Sequence, residues 1–221
     1  MARIQKMVVA LAAVMLMGIS SHAYAFNTKL PSDWSGPYIG AFAAYSWVDL
    51  KYYEPDFPGF DRKTNINGLT GGPLLGYNHL FDSILLGVEA DAGWGNLSEG
   101  ADGSSLKNNY SAFDINWNAH ARARLGFLSG STLLYVAGGL ALAGVTVDDV
   151  DPNWGKADAT HVGWTVGAGI EHAIAKNLRA RVEYLYDDYG SKDYSISGNY
   201  TYTSNVDLTA NIIRVGLYYQ F

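Results

Sequence analysis

Four acids and five arginines occupy matching positions in segments that alternate apolar and polar residues: Glu89, Asp91, Glu171 and Glu183, with Arg122, Arg124, Arg179, Arg181 and Arg214. His120 shares their parity. Carboxylates and guanidinium groups gathered on one face can interlock through bidentate, charge-assisted hydrogen bonds. The same groups along a water-filled passage would instead form a selectivity ring. The first chemistry is structural, the second is transport.

Other chemistries find little support. The chain has no Cys, so it offers no thiolate ligand, cysteine nucleophile or disulfide framework. It contains neither a Gly-x-Ser-x-Gly elbow nor a His-Glu-x-x-His pair. Gly167-Ala168-Gly169 lacks the third glycine of a dinucleotide loop. His79, His120, His161 and His172 include no pair at i, i+4, and His120 reads as a hydrogen-bonded interior histidine. Asp148-Asp149-x-Asp151 supplies carboxylates but not the ligand set of a calcium loop, so it reads as a solvated acidic segment. No metal and no cofactor is expected.

The elements that must position the charges are strands. In 113–127 the odd residues Ile115, Trp117, Ala119, Ala121, Ala123 and Leu125 face away from Asn116, Asn118, His120, Arg122 and Arg124. Segments 84–94, 162–172, 178–187 and 213–221 repeat this period of two, the signature of a strand with two unlike faces. Three weaker segments, 37–49, 68–78 and 132–146, bring the strands to eight. In 132–146, Leu134, Val136, Leu140 and Leu142 are assigned to the outer face, with Gly139, Ala141 and Ala143 inside. Connections alternate in length: short near 79–82, 128–131 and 174–177, long near 51–67, 98–112, 147–158 and 187–208.

An even number of strands with alternating short turns and long loops is the plan of a transmembrane β-barrel, whose termini share the short-turn side. A soluble β-sandwich or lipocalin-like barrel is the alternative. Against it, the polar face is rich in Gly as well as charge, which suits a narrow interior. The apolar face also carries rings near strand ends, namely Trp47, Tyr77, Trp94, Trp117, Trp164, Tyr186 and Tyr219. Such rings belong at the two water–lipid borders. Hydrocarbon demands that every backbone N–H and C=O find an internal partner, and a closed barrel meets that demand because it has no edge. The expected fold is therefore all-β: an eight-stranded, antiparallel, up-and-down transmembrane barrel.

The first residues read as an address. Arg3 and Lys6 precede the apolar run Met7–Ile19, and Ala23-Tyr24-Ala25 is a small-x-small cleavage pattern. The run is too short for a spanning helix, which needs about 20 residues. Residues 1–25 are thus assigned to a Sec-type signal peptide cleaved after Ala25, and 26–221 to the barrel, with no second periplasmic domain expected. A formal net charge of −6 argues against a nucleic-acid partner.

At Trp34-Ser35-Gly36-Pro37-Tyr38-Ile39-Gly40, at Gly76-Tyr77-Asn78 and at Tyr218-Tyr219-Gln220-Phe221, the chain resembles the small porin-like outer-membrane proteins of alphaproteobacteria. These are often called outer-membrane immunogenic proteins and stand within the outer-membrane-protein-A-like eight-stranded barrels. The likeness covers essentially all of 26–221. Two positions depart from the pattern: Phe42, where a small or polar inward residue is common, and Pro73 inside a strand. The resemblance implies an abundant surface protein of the cell outer membrane that supports envelope integrity. It also implies that Tyr219 and Phe221 serve as an assembly signal for the barrel-assembly machinery.

Eight strands enclose an interior just wide enough for side chains, whereas open channels need about 16. The inward charges are therefore expected to interlock as a plug. Outer-membrane lipid and lipopolysaccharide are the expected partners. The alternatives are a small-solute porin, or an adhesin or haem-binding protein using its Tyr-rich loops on a surface ligand or host molecule. A lipid A-modifying enzyme would need a His paired beside the acyl chains. His161 has inward parity and His172 lies at the turn end, so no enzyme is expected.

Overall fold

The computed structural model describes residues 33–53, 62–99, 112–148, 156–197 and 201–221. The expected signal peptide lies outside them, so its cleavage site has no structural counterpart. Eight strands follow in chain order: β1 Gly36–Tyr53, β2 Arg62–Phe81, β3 Ile84–Glu99, β4 Ala112–Ser129, β5 Thr132–Asp148, β6 Lys156–Ala173, β7 Leu178–Ser197 and β8 Thr201–Gln220. Each pairs antiparallel with its neighbours, and β8 returns to β1 from Tyr38↔Gln220 to Tyr53↔Asn205, closing the barrel.

Three tight turns join the strands at the end holding both Gly36 and Gln220. Asp82 (φ 53°) and Gly130 (φ 61°) adopt the left-handed conformation in two of them; the third spans 174–177. At the other end the segments between strands are shorter than expected from sequence, because the strands are longer. The strands run to 16–20 residues, whereas crossing the hydrocarbon takes about 9–11. Residues 187–208, expected as a loop, are mostly ladder, with pairs from Ser191↔Asp207 to Ser197↔Thr201. The Tyr and Thr of this stretch favour extended backbone.

Alternation holds through the middle of the barrel and breaks near the loop end. Leu134, Val136 and Leu140 are exposed on the outer face while Ala141 and Ala143 are buried inside, as assigned. A register shift between Ile115 and Trp117 on β4 reverses parity there, and the ladder to β3 is offset opposite it, between Trp94 and Leu97. An extra residue in one strand carries the following side chains to the opposite face. Ile115, expected outside, is therefore buried in the lumen beside the buried Leu97, and Asn116, expected inside, is exposed. Pro73 stays within β2 opposite Ala41, and the β2–β3 ladder has no pair at Gly72 and Pro73. Proline has no N–H to donate there.

The lumen is layered rather than uniformly polar, which corrects the expectation of a polar interior. Trp34, Leu85, Leu133, Tyr135, Ala137 and Ala173 pack at the turn end. Val48, Leu50, Ile66, Leu97, Ile115, Val145, Val206 and Leu208 are buried towards the loop end. The charges lie between. Val48 and Val145 keep the inward parity of segments 37–49 and 132–146, whereas Leu50, Ile66, Leu97, Val206 and Leu208 lie outside the segments read as strands and Ile115 is turned inward by the bulge.

Candidate functional site

The central layer draws its charges from β3, β4, β6, β7 and β8. Cross-strand neighbours Glu89↔Arg122, Asp91↔His120, Glu171↔Arg181 and Glu183↔Arg214 bring opposite or hydrogen-bonding groups side by side. Arg122 reaches Glu89 Oε1 at 2.5 Å, Asp91 Oδ2 at 3.1 Å and Glu183 Oε1 at 2.8 Å. Arg124 donates to Glu171 at 2.9 Å and to the Tyr38 hydroxyl at 2.8 Å. Arg181 joins Glu89 at 2.7 Å to Glu171, which its Nε meets at 2.9 Å. Arg214 forks onto Asp91 at 2.9 and 3.1 Å. These side chains have between 0% and 3% of their surface exposed.

Aromatic rings complete the layer. Tyr38 donates to Glu89 at 2.6 Å and Tyr135 to Glu183 at 2.8 Å. The Arg181 guanidinium lies 4.0 Å from the Tyr218 ring centre and 5.2 Å from that of Tyr135. Gly169 makes room: a Cβ there would stand 2.6 Å from Cζ of Tyr135. Phe42, a departure from the family pattern, lies under the guanidinium of Arg214 at 4.5 Å. Cation–π contact of this kind suits a desolvated arginine.

The structure adds Asp187, which sequence reasoning left in a loop. Its side chain is fully buried, accepts from the Tyr189 hydroxyl at 2.9 Å and meets His120 Nε2 at 3.0 Å. His120 Nδ1 faces Asp91 at 2.8 Å, so the imidazole bridges two carboxylates. A signal existed, since Asp187 keeps the parity of Arg179, Arg181 and Glu183. Asp187 makes five carboxylates against the arginines 122, 124, 181 and 214 among the described residues.

Arg179 corrects the reading from the other side. It is buried in the lumen but one layer lower, where it donates to the main-chain carbonyl of Asp33 and stacks 4.4 Å over Trp34. Trp34 is 1% exposed, and the Asp33–Ser35 segment is held across the turn end. Leu80 N donates to Ser35 Oγ at 3.0 Å and Gln220 Nε2 to Ser35 O at 3.3 Å.

The outer face is apolar, with rings at two heights. Trp47, Trp94, Trp117, Trp164 and Tyr186 stand towards the loop end, and Trp164 packs on Tyr186 at 5.7 Å. Tyr77 and Tyr219 stand at the turn end, where Tyr219 packs on Phe221 at 5.2 Å. His161 is buried in the lumen near the loop end, and His172 pairs with Thr132 at 2.9 Å near the turns. Asp148 ends β5, while Asp149 and Asp151 lie outside the described residues.

The comparisons agree with this architecture. The family described as "Outer membrane protein beta-barrel domain" matches residues 10–221. The 31 kDa outer-membrane immunogenic protein of Brucella melitensis is 34% identical over 218 residues, covering 88% of each chain. The 22 kDa outer membrane protein of Rhizobium leguminosarum is 36% identical over 176 residues, covering 78% of this chain and 73% of that one. The outer membrane protein OprG from Pseudomonas aeruginosa has a similar fold, with a TM-score of 0.59 at 12% identity, over 86% of this chain and 98% of that one. The chain belongs to the outer-membrane β-barrel family, in the group of outer-membrane immunogenic proteins, and its place is the cell outer membrane.

Proposed function

We propose that this protein is a closed structural barrel that braces the outer membrane and displays its loops outward. The carrying observation is the buried lattice in which Arg122, Arg124, Arg181 and Arg214 span the lumen to carboxylates of β3, β6 and β7. An ion crossing it would have to break several desolvated pairs, and the Trp34 layer and the apolar upper layer lie in series with it. In outer-membrane barrels the long loops are extracellular and the short turns periplasmic, which sets the orientation.

Planar-bilayer recording of the refolded protein tests the closed lumen. The expected trace is silent; large, stable steps proportional to salt concentration would overturn it. A strain lacking the protein is expected to become sensitive to detergent, and unchanged sensitivity would count against bracing. Export with cleavage after Ala25 and assembly through Tyr219 and Phe221 belong to the same reading. Both terminal rings are exposed, at 49% and 67%, where a partner can reach them. Deleting Phe221 is expected to lower the amount in the outer membrane, and wild-type levels would refute the signal.

A further inference from the structure

The β4 bulge does more than turn Ile115 inward, because it puts a polar amide on the lipid-side surface near the loop end. There Asn116 Nδ2 donates to Thr146 Oγ1 at 2.8 Å, and Thr146 Oγ1 donates to Asp158 Oδ1 at 2.7 Å. The relay crosses β4, β5 and β6 along one wall of a groove of about 340 Å³. Trp117 and Thr160 line the same groove. The five-membered ring of Trp117 lies over Gly144, where a Cβ would stand 2.6 Å from Cδ1 and Cε2, so the other face of the indole turns away from the sheet. Asn116, Asp158 and Thr160 are exposed.

We infer that this groove binds a pyranose ring of the glycolipid sugars in the surrounding leaflet. A pyranose has an apolar C–H face and a rim of hydroxyls that donate and accept. The free face of Trp117 matches the first. The second meets Asn116 Oδ1, the Asp158 oxygen outside the relay, and the Thr160 hydroxyl. One carboxylate among neutral groups carries too little charge for a hard cation. Lys192, whose Nζ donates to Thr160 O at 2.8 Å, brings one positive charge to the edge that Asp158 balances, so the groove has no net charge to select an anion. Its height decides the source: Trp94 and Trp164 mark the water–lipid border beside it, and sugars carried by outer-leaflet lipids lie at that level. The inference rests on the outward orientation proposed above and not on a closed lumen.

The test uses the full protein in phospholipid nanodiscs, which leave both membrane faces accessible. The probe is the deacylated, dephosphorylated core oligosaccharide of the host cell's lipopolysaccharide. Saturation-transfer NMR is expected to show binding, weakened about tenfold or more by Trp117→Ala and by Asn116→Ala, and largely restored in Trp117→Phe. Tyr77→Ala, in the belt at the opposite end, is expected to bind as wild type does, and heat-modifiable gel mobility verifies folding of each variant. Absence of oligosaccharide binding overturns the inference, as does equal binding by all variants. Binding of intact lipopolysaccharide but not of the oligosaccharide also overturns it, because recognition would then run through acyl chains. None of these outcomes depends on conductance.

Discussion

Arg214 on β8 grips Asp91 on β3 across the lumen with both guanidinium nitrogens, Nη1 to Oδ2 at 2.9 Å and Nη2 to Oδ1 at 3.1 Å. The two residues are 123 positions apart in the chain. The barrel stands between them, so the pair locks strands that do not touch. Such a fork adds geometric specificity to charge, because only one arrangement satisfies both hydrogen bonds.

Arg214→Ala is expected to lower the urea midpoint in detergent or lipid strongly. Removing one partner of a buried pair costs about 3–5 kcal/mol, because the other charge stays desolvated. The double variant Arg214→Ala/Asp91→Asn should lose less than the sum of Arg214→Ala and Asp91→Asn alone, and urea titration of the three variants against wild type reads this directly. Additive losses would mean that the fork contributes nothing of its own.

Asp187 and Asp207 look alike in sequence, both acids in the 187–208 stretch that reads as a loop. The structure separates them. Asp187 is buried against His120 and Tyr189, whereas Asp207 makes a half-exposed contact with Lys51 at 3.7 Å. An exposed pair is worth about 0–1 kcal/mol. Asp187→Asn should therefore depress the urea midpoint well beyond Asp207→Asn, and equal effects would remove Asp187 from the network.

Trp34 closes the turn end with a ring that is almost wholly buried against Arg179. Trp34→Ala is expected to cost about 3–5 kcal/mol, the usual range for truncating a buried large aromatic. Hydrogen exchange should quicken at the turn ends of β3, β5 and β7 and stay slow at the charged layer. Uniform exchange would show that the layers are not independent.

Val182 lies on the outer face of β7 midway between the two aromatic belts, four residues from Leu178, which pairs with Tyr219, and four from Tyr186, and stands between Ile170 and Val215 in register. Val182→Arg should hinder folding into lipid vesicles, since a cation at the bilayer midplane costs about 2–4 kcal/mol. Asn109→Arg, in the segment between β3 and β4, is the reference and should fold as wild type does. Equal folding yields would contradict the assignment of the face.

Much of this molecule is legible without coordinates. Period-two alternation in 84–94, 113–127, 162–172, 178–187 and 213–221, with the weaker segments 37–49, 68–78 and 132–146, determines eight strands, a shared inner parity for the charges and an apolar outer face with rings near both ends. Alternation is a local property of extended backbone, so sequence carries it. Tertiary structure decided what alternation does not encode. Which acid meets which arginine depends on shear, a property of the closed barrel. The bulges that turn Ile115 inward and Asn116 outward arise where one strand carries an extra residue against its partner, which neither strand reveals alone. Arg179 has the parity of its neighbours but sits one layer below them, where height along the axis and the Asp33–Ser35 segment choose its partners. Asp187 reaches the lumen because β7 stays in the ladder there, between Thr165 of β6 and Ala210 of β8, and His120 of a strand remote in sequence supplies its partner.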